Sequence, residues 1–296
     1  MPANASFDKG AAIEEWADLQ FFRPIGLRIA RLAVPTRITP DQITFVALIT
    51  GLVAGRLLFY HSVALNAAGV AMFVVSDIFD SADGQLARIR GTSTKLGKIL
   101  DGVSDSGRFI NLYIQLIARM IVGGATWWLV VPLGVAAGLA HARQSAAADY
   151  MRQLYLHLGE RGAGEFALPE DMSLMTAETP FQAFLIHIYR GYLESHSRLV
   201  PRSLELVRRI RAGTPTFEVT DRWAAMQRGV VLQCAWIGQN IRFLLLAVTV
   251  LPGSPAAFLW VTLIPMTVVM IALLARHEAN ASIILNETAS RLAEAA

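Results

Sequence analysis

The chain has 296 residues, 54% of them hydrophobic and 17% charged, with a mean hydropathy of +0.45 and a formal net charge of +3. Soluble domains carry about 25% charged residues, so this composition excludes an ordinary water-soluble enzyme and gives no basic field for nucleic acid. One cysteine, Cys234, lies in an apolar stretch, which excludes an internal disulfide framework and suits a packed membrane thiol.

Residues 1–12 include Asp8 and Lys9 without an apolar core, so no cleaved signal peptide is expected. Segment 16–32 mixes Trp16, Phe21, Phe22, Ile25 and Leu32 with arginines, a composition suited to a helix lying at the membrane interface. Thr39-Pro40-Asp41 reads as an N-cap followed by proline in the first helical turn.

Six apolar segments then approach the length a spanning helix needs: 43–60, 63–79, 103–121, 126–142, 226–250 and 256–274. The connections 61–62, 122–125 and 251–254 contain no Lys or Arg. The alternate connections hold Arg28, Arg31, Arg88, Arg90, Lys95, Lys98, Arg143, Arg208 and Arg209, which places both termini and the end of the second span in the cytoplasm. About 80 residues between the fourth and fifth spans carry helical apolar spacing at Tyr150, Leu154 and Leu158 and again at Phe181, Phe184 and Ile188, with a break over 159–180. This insert either covers the functional site or solvates the bundle.

The expected fold is therefore all-α, an integral membrane bundle of six helices. Its organisation is an N-terminal interfacial segment 1–38, four spans over 39–142, a helical cytoplasmic insert 143–225, two spans over 226–276 and a cytoplasmic tail 277–296. Absence of a targeting segment is compatible with a bacterial inner membrane.

Four acids lie where the second and third spans meet the cytoplasm: Asp80, Asp83, Asp101 and Asp105. Residues three or four apart share a helix face, and the short linker makes the two helices antiparallel neighbours, so the carboxylates converge. Such a cluster repels itself unless a cation balances it. Oxygen donors without a Cys/His grouping favour Mg²⁺ or Mn²⁺, and four carboxylates suffice for two ions in a displacement at phosphorus. Gly84 and Ala87 leave bare backbone for a base or diphosphate, Arg88 offers a planar fork of donors on the same side, and Gly97 clears space before Asp101.

These positions spell D-x2-D-G-x2-A-R-x8-G-x3-D-x3-D from Asp80 to Asp105, and all eight specified residues are present. The pattern resembles the signature of the CDP-alcohol phosphotransferases, membrane enzymes of phospholipid synthesis. The resemblance implies metal binding by Asp80, Asp83 and Asp101, with Asp105 assisting and acting as general base towards the incoming hydroxyl. It also implies contact of the CDP group with Asp80, Gly84, Ala87 and Arg88, a structural role for Gly97, and a homodimer. The implied reaction moves a substituted phosphate from a CDP-linked donor to an alcohol and releases CMP. CDP-diacylglycerol is the expected donor; the alternative is headgroup transfer from a CDP-linked polar alcohol to a lipid hydroxyl. The 143–225 insert departs from the compact family pattern.

A divalent-cation transporter is the rival from another class, but it needs acids near mid-membrane rather than beside Gly84, Ala87 and Arg88. Asp77 is expected outside the site. Arg108, three residues after Asp105, is either a pocket-lining cation or a salt bridge balancing the acids. Arg242 is a candidate phosphate contact, Arg119 a snorkelling side chain, and Trp127 and Trp128 part of an aromatic belt.

Overall fold

The computed structural model describes Ile13 and residues 15–92, 95–159, 168, 177, 179–212 and 217–294. Residues 1–12, where no leader is expected, and most of the break expected over 159–180 lie outside the described residues. Among those described, the chain is helical and has no strand. Two compact units emerge: one from residues 16–143 and 239–267, the other from 1–15, 144–238 and 268–296.

The first of these units begins with a π-helical turn, Asp18–Phe22, that leads into α1, Arg23–Ala33. Trp16 and Leu32 are about three-quarters exposed. The helix α2, Pro40–Leu58, starts with a complete capping box: Thr39 Oγ1 accepts from the Gln42 amide at 3.3 Å and Gln42 Oε1 accepts from the Thr39 amide at 3.1 Å. Such a cap contributes about 1 kcal/mol, and Pro40 sits where no N–H is needed.

The helix α3, Val63–Arg90, runs unbroken through the first half of the acidic motif. Gly91 ends it with φ +66°, its amide bonding to Arg88 O at 3.2 Å and the Thr92 amide reaching Ala87 O at 2.9 Å. That double closure is the glycine-terminated cap seen where a left-handed residue stops a helix. The helix α4, Lys95–Val122, follows, and then α5, Trp127–Gly159.

Close backbone packing among the described residues runs between α1 and α3, α2 and α3, and α2 and α4. Small residues make it possible. A Cβ on Gly69 would stand 2.9 Å from Ala54 O, and one on Gly26 would stand 2.8 Å from Ser81 Oγ. The antiparallel pairing expected of the two acidic helices is thus mediated by α2 and by side chains, including the parallel Phe73 and Phe109 rings at 6.4 Å.

Arg90 fastens α1 to the end of α3. Its guanidinium donates to four carbonyls of the connecting segment: Ile38 O at 2.5 Å, Ala33 O at 2.8 Å, Thr36 O at 2.9 Å and Val34 O at 3.2 Å. Gln85 Nε2 adds a bond to Arg23 O at 3.1 Å. The unit's core holds Phe73, Leu112, Leu116, Phe243, Leu246 and Phe258, while Phe45, Ile49, Ile110 and Ile114 point outward. Apolar residues on both sides are the mark of helices solvated by lipid.

By length and composition, four stretches can cross a membrane: Pro40–Leu58, Val63–Arg90, Val219–Val250 and Pro255–Ala289. The remaining two expected spans fall in α4, which carries Asp105, Arg108 and Arg119, and in α5, whose tryptophans, glycines and His141 dilute its hydropathy. The fifth expected span is interrupted. It divides into α8, Phe217–Gln233, a 3-10 turn Cys234–Ile237, and α9, Gln239–Val250, with Gly238 extended between the last two. The sixth is interrupted at Ile264, where Pro265 brings no N–H, giving α10, Pro255–Leu263, and α11, Pro265–Glu294.

In the other unit lie α6, Pro180–Ser197, and α7, Pro201–Arg211. Trp223, Leu154, Val207 and Ile284 form its core. No local side chain caps α7; instead Glu278 accepts from the Arg202 amide at 2.8 Å and the Ser203 amide at 3.2 Å, placing a carboxylate on the positive end of the helix. The residues expected as a tail, 277–296, are helical to Glu294.

Candidate active site

The acids of the motif project from α3 and α4. Carboxylate oxygens of Asp80, Asp101 and Asp105 all lie within 4.8 Å of one another, and each residue is half-buried. Asp83 stands one turn beyond Asp80 and outside this trio. It is 4% exposed and accepts a 2.5 Å hydrogen bond from the Thr44 hydroxyl of α2. The expected site residues are therefore brought together as three carboxylates plus a fourth tied to a neighbouring helix.

Among the described residues, Arg108 is a cation bonded directly to the cluster. Arg108 is 2% exposed, and its guanidinium divides its donors. Nη1 bonds to Ser76 Oγ at 2.7 Å and to Asp77 Oδ1 at 3.2 Å, while Nη2 bonds to Asp80 Oδ1 at 3.0 Å and makes a short ion pair with Asp105 Oδ1. Ser76 is itself held by donating to Ala47 O at 2.7 Å. Of the two roles left open for Arg108, the structure shows the salt bridge. It also brings Asp77, expected outside the site, into contact with that cation.

The charge of Arg108 alone does not balance the carboxylates it meets. Asp101 is pushed up to about 7, chiefly by burial and then by the negative charges of Asp105 and Asp83. Its Oδ1 is buried and has no hydrogen-bond partner among the described residues. A buried, unpartnered carboxylate oxygen beside two other carboxylates is the donor set that a hard divalent ion fits. Residues Asp80, Asp101 and Asp105 are thus able to hold Mg²⁺ or Mn²⁺.

The expected nucleotide floor lies along the next turns of α3. A Cβ on Gly84 would meet only the Arg88 guanidinium, at 3.5 Å from Nη1, so Arg88 curls back over bare backbone. Ala87 is half-buried and Arg88 exposed. Gly97 lies half-buried in the first turns of α4, ahead of Asp101.

Three contributors escaped the sequence reading: Thr44, Ser76 and Gly51. The first two carry no local signal of partnership with residues 39 and 32 positions away. Gly51 matters through space, since a Cβ there would stand 2.6 Å from Arg108 Cδ.

The helical domain thus sets an acid cluster able to hold a cation one turn from a stretch of α3 bearing glycine and arginine. The chain belongs to the CDP-alcohol phosphatidyltransferase family, whose sequence pattern matches residues 37–188 and so contains every motif position. Among curated relatives, it is 30% identical over 114 residues to the bifunctional IPC transferase and DIPP synthase of Thermococcus kodakarensis, covering 38% of this chain and 25% of that protein. It is 29% identical over 125 residues to the CDP-diacylglycerol–serine O-phosphatidyltransferase of Mycobacterium leprae, covering 40% of each. It is 32% identical over 151 residues to the phosphatidylinositol phosphate synthase of Mycobacterium bovis, covering 49% of this chain and 64% of the relative. The matches span less than two thirds of these relatives' own lengths.

Proposed function

We propose that the protein transfers a phosphatidyl group from CDP-diacylglycerol to the hydroxyl of a polar alcohol, releasing CMP, with Mg²⁺ or Mn²⁺ as cofactor. The convergence of Asp80, Asp101 and Asp105 within 4.8 Å, one helical turn from the Gly84 and Arg88 floor, carries this reading. Asp80, Asp101 and Asp105, with Asp83 as a further expected ligand from the next turn of α3, would hold a divalent ion, which when bound would supply charge neutralisation for the diphosphate and the departing CMP.

The chain's own groups do the remainder. Gly84 and Ala87 admit the cytidine diphosphate against α3, and Arg88 swings from its position over Gly84 to pair with phosphate oxygens. Asp105 is the most open of Arg108's acidic partners, its side chain 39% exposed against 27% for Asp80 and 18% for Asp77. Its carboxylate takes the proton of the acceptor hydroxyl as that oxygen bonds to the phosphorus distal to cytidine. The bond from phosphorus to the CMP oxygen breaks, and CMP leaves with the electron pair. Arg108, by holding one Asp105 oxygen, fixes the direction in which the carboxylate faces the acceptor.

In this reading α4 and α5 complete a bundle of six spans, the termini and site face the cytoplasm of a bacterial inner membrane, and the chain works as a homodimer. The positive-inside pattern supports the orientation. The deciding experiment is CMP release by the purified protein in lipid nanodiscs, using CDP-diacylglycerol with serine, inositol phosphate and glycerol phosphate, with and without Mn²⁺. CMP together with a new phosphatidyl lipid is the expected product. Release from CDP-choline or CDP-ethanolamine with diacylglycerol, but not from CDP-diacylglycerol, replaces this reading with headgroup transfer.

A further inference from the structure

The arrangement around Arg108 has a consequence for metal binding, and it rests on the metal-dependent reading above. The stem of Arg108 is sealed between helices, with a space on α2 that exists because residue 51 is glycine. At 2% exposure the guanidinium is engaged by Ser76, Asp77, Asp80 and Asp105 rather than presented to solvent. Its two ends meet different groups. Nη1 is anchored on Ser76 and Asp77, neither of which belongs to the three-carboxylate group, whereas Nη2 touches Asp80 and Asp105, which do.

We propose that Arg108 is the resident counter-ion of the acid cluster: a positioning residue that keeps Asp80 and Asp105 assembled before a divalent ion arrives, and that weakens the hold on that ion. Both effects follow from one fixed positive charge. Without metal, Nη2 offsets repulsion among carboxylates that would otherwise move apart or take up protons. With metal, the same charge lies one carboxylate away from a second cation and repels it, so the ion is held loosely enough to exchange. The Ser76 and Asp77 anchors matter because they prevent the guanidinium from swinging clear. A salt bridge that served only folding would have no reason to engage two members of the three-carboxylate group and would leave metal affinity unchanged or lower on removal.

The test is Mn²⁺ binding to the full chain in detergent, read by electron paramagnetic resonance of free Mn²⁺, paired with melting temperatures in EDTA and in Mn²⁺. Arg108→Gln is expected to bind Mn²⁺ on the order of tenfold more tightly than wild type, to melt lower in EDTA, and to recover most of that loss in Mn²⁺. Arg108→Lys, which keeps the charge, is expected to stay near wild-type Mn²⁺ affinity. Should Arg108→Gln fail to fold even with Mn²⁺, Ser76→Ala decides, since loosening the Nη1 anchor is expected to tighten Mn²⁺ binding by a smaller factor. Unchanged or weaker Mn²⁺ binding in the folded variant overturns the proposal. Asp101→Asn separates the two readings: wild type that binds no better than Asp101→Asn defeats the metal site itself, whereas wild type that binds while Arg108→Gln does not tighten defeats only the role of Arg108.

Discussion

Gly51 of α2 faces the aliphatic stem of Arg108 of α4 so closely that a methyl group would stand 2.6 Å from Cδ and 2.7 Å from Cγ. Real side chains do not approach to that distance, so the guanidinium that links Ser76, Asp77, Asp80 and Asp105 depends on a residue that contributes no side chain. Gly51→Ala is expected to destabilise the fold by about 1–3 kcal/mol through overpacking and to lower turnover by displacing Arg108. Melting temperature and CMP release, measured together, check both effects; an unchanged rate would show that the stem relaxes without moving the head.

Asp101 is expected to set a pH dependence for the proposed metal binding. With its carboxyl pushed up to about 7, the group holds its proton below that pH and is a carboxylate above it. An ion must displace the proton to use it, so Mn²⁺ affinity is expected to fall by up to about tenfold per pH unit below 7 and to level off above. Titrations at pH 6, 7 and 8 read this directly. A flat profile would mean another group governs the site.

Asp105 and Arg88 are expected to separate turnover from donor binding. Asp105→Asn should abolish CMP release while a CDP-donor analogue still binds. Arg88→Ala should raise the donor KM, leaving the acceptor KM near wild type. Equal loss of donor binding in both variants would contradict the division of labour.

Thr44 donates to a carboxylate that is almost wholly buried. Removing the hydroxyl in Thr44→Val leaves Asp83 unsatisfied at that oxygen, at a cost of about 1–3 kcal/mol. Chemical denaturation in detergent gives the comparison, and a Thr44→Ser variant, which keeps the oxygen, should recover most of the loss.

Arg90→Ala is expected to loosen α1 rather than unfold the domain, because its bonds all reach the segment between Ala33 and Ile38. Hydrogen exchange should rise in residues 23–38 before it rises in α2. Uniform exchange across both helices would show a global effect instead.

Much of this was legible from spacing. Three-residue intervals put Asp80 beside Asp83 and Asp101 beside Asp105, and Thr39-Pro40-Asp41 announced the start of α2, because helix periodicity and capping are local properties. What the periodicity did not carry was the division of the acids into a trio and a separate Asp83, which arises from Thr44 on a helix 39 residues away. Asp77 looked peripheral for the same reason: its importance comes from Arg108, 31 positions on. The interruptions at Gly238 and Pro265 fell within apolar stretches, where hydropathy registers length and is blind to a broken backbone. Gly84 and Arg88, four residues apart, share a helix side by spacing, whereas the arginine lying across the glycine depends on a rotamer that spacing does not fix.

Arg90 grips the carbonyls at the end of α1 from the last turn of α3, ten residues after Asp80 on the same rod. That guanidinium therefore ties the end of α1 to the rod on which the motif acids stand. A single side chain thus makes the placement of the N-terminal helix a condition for the placement of the rod, and a shift in one is felt by the other through four hydrogen bonds.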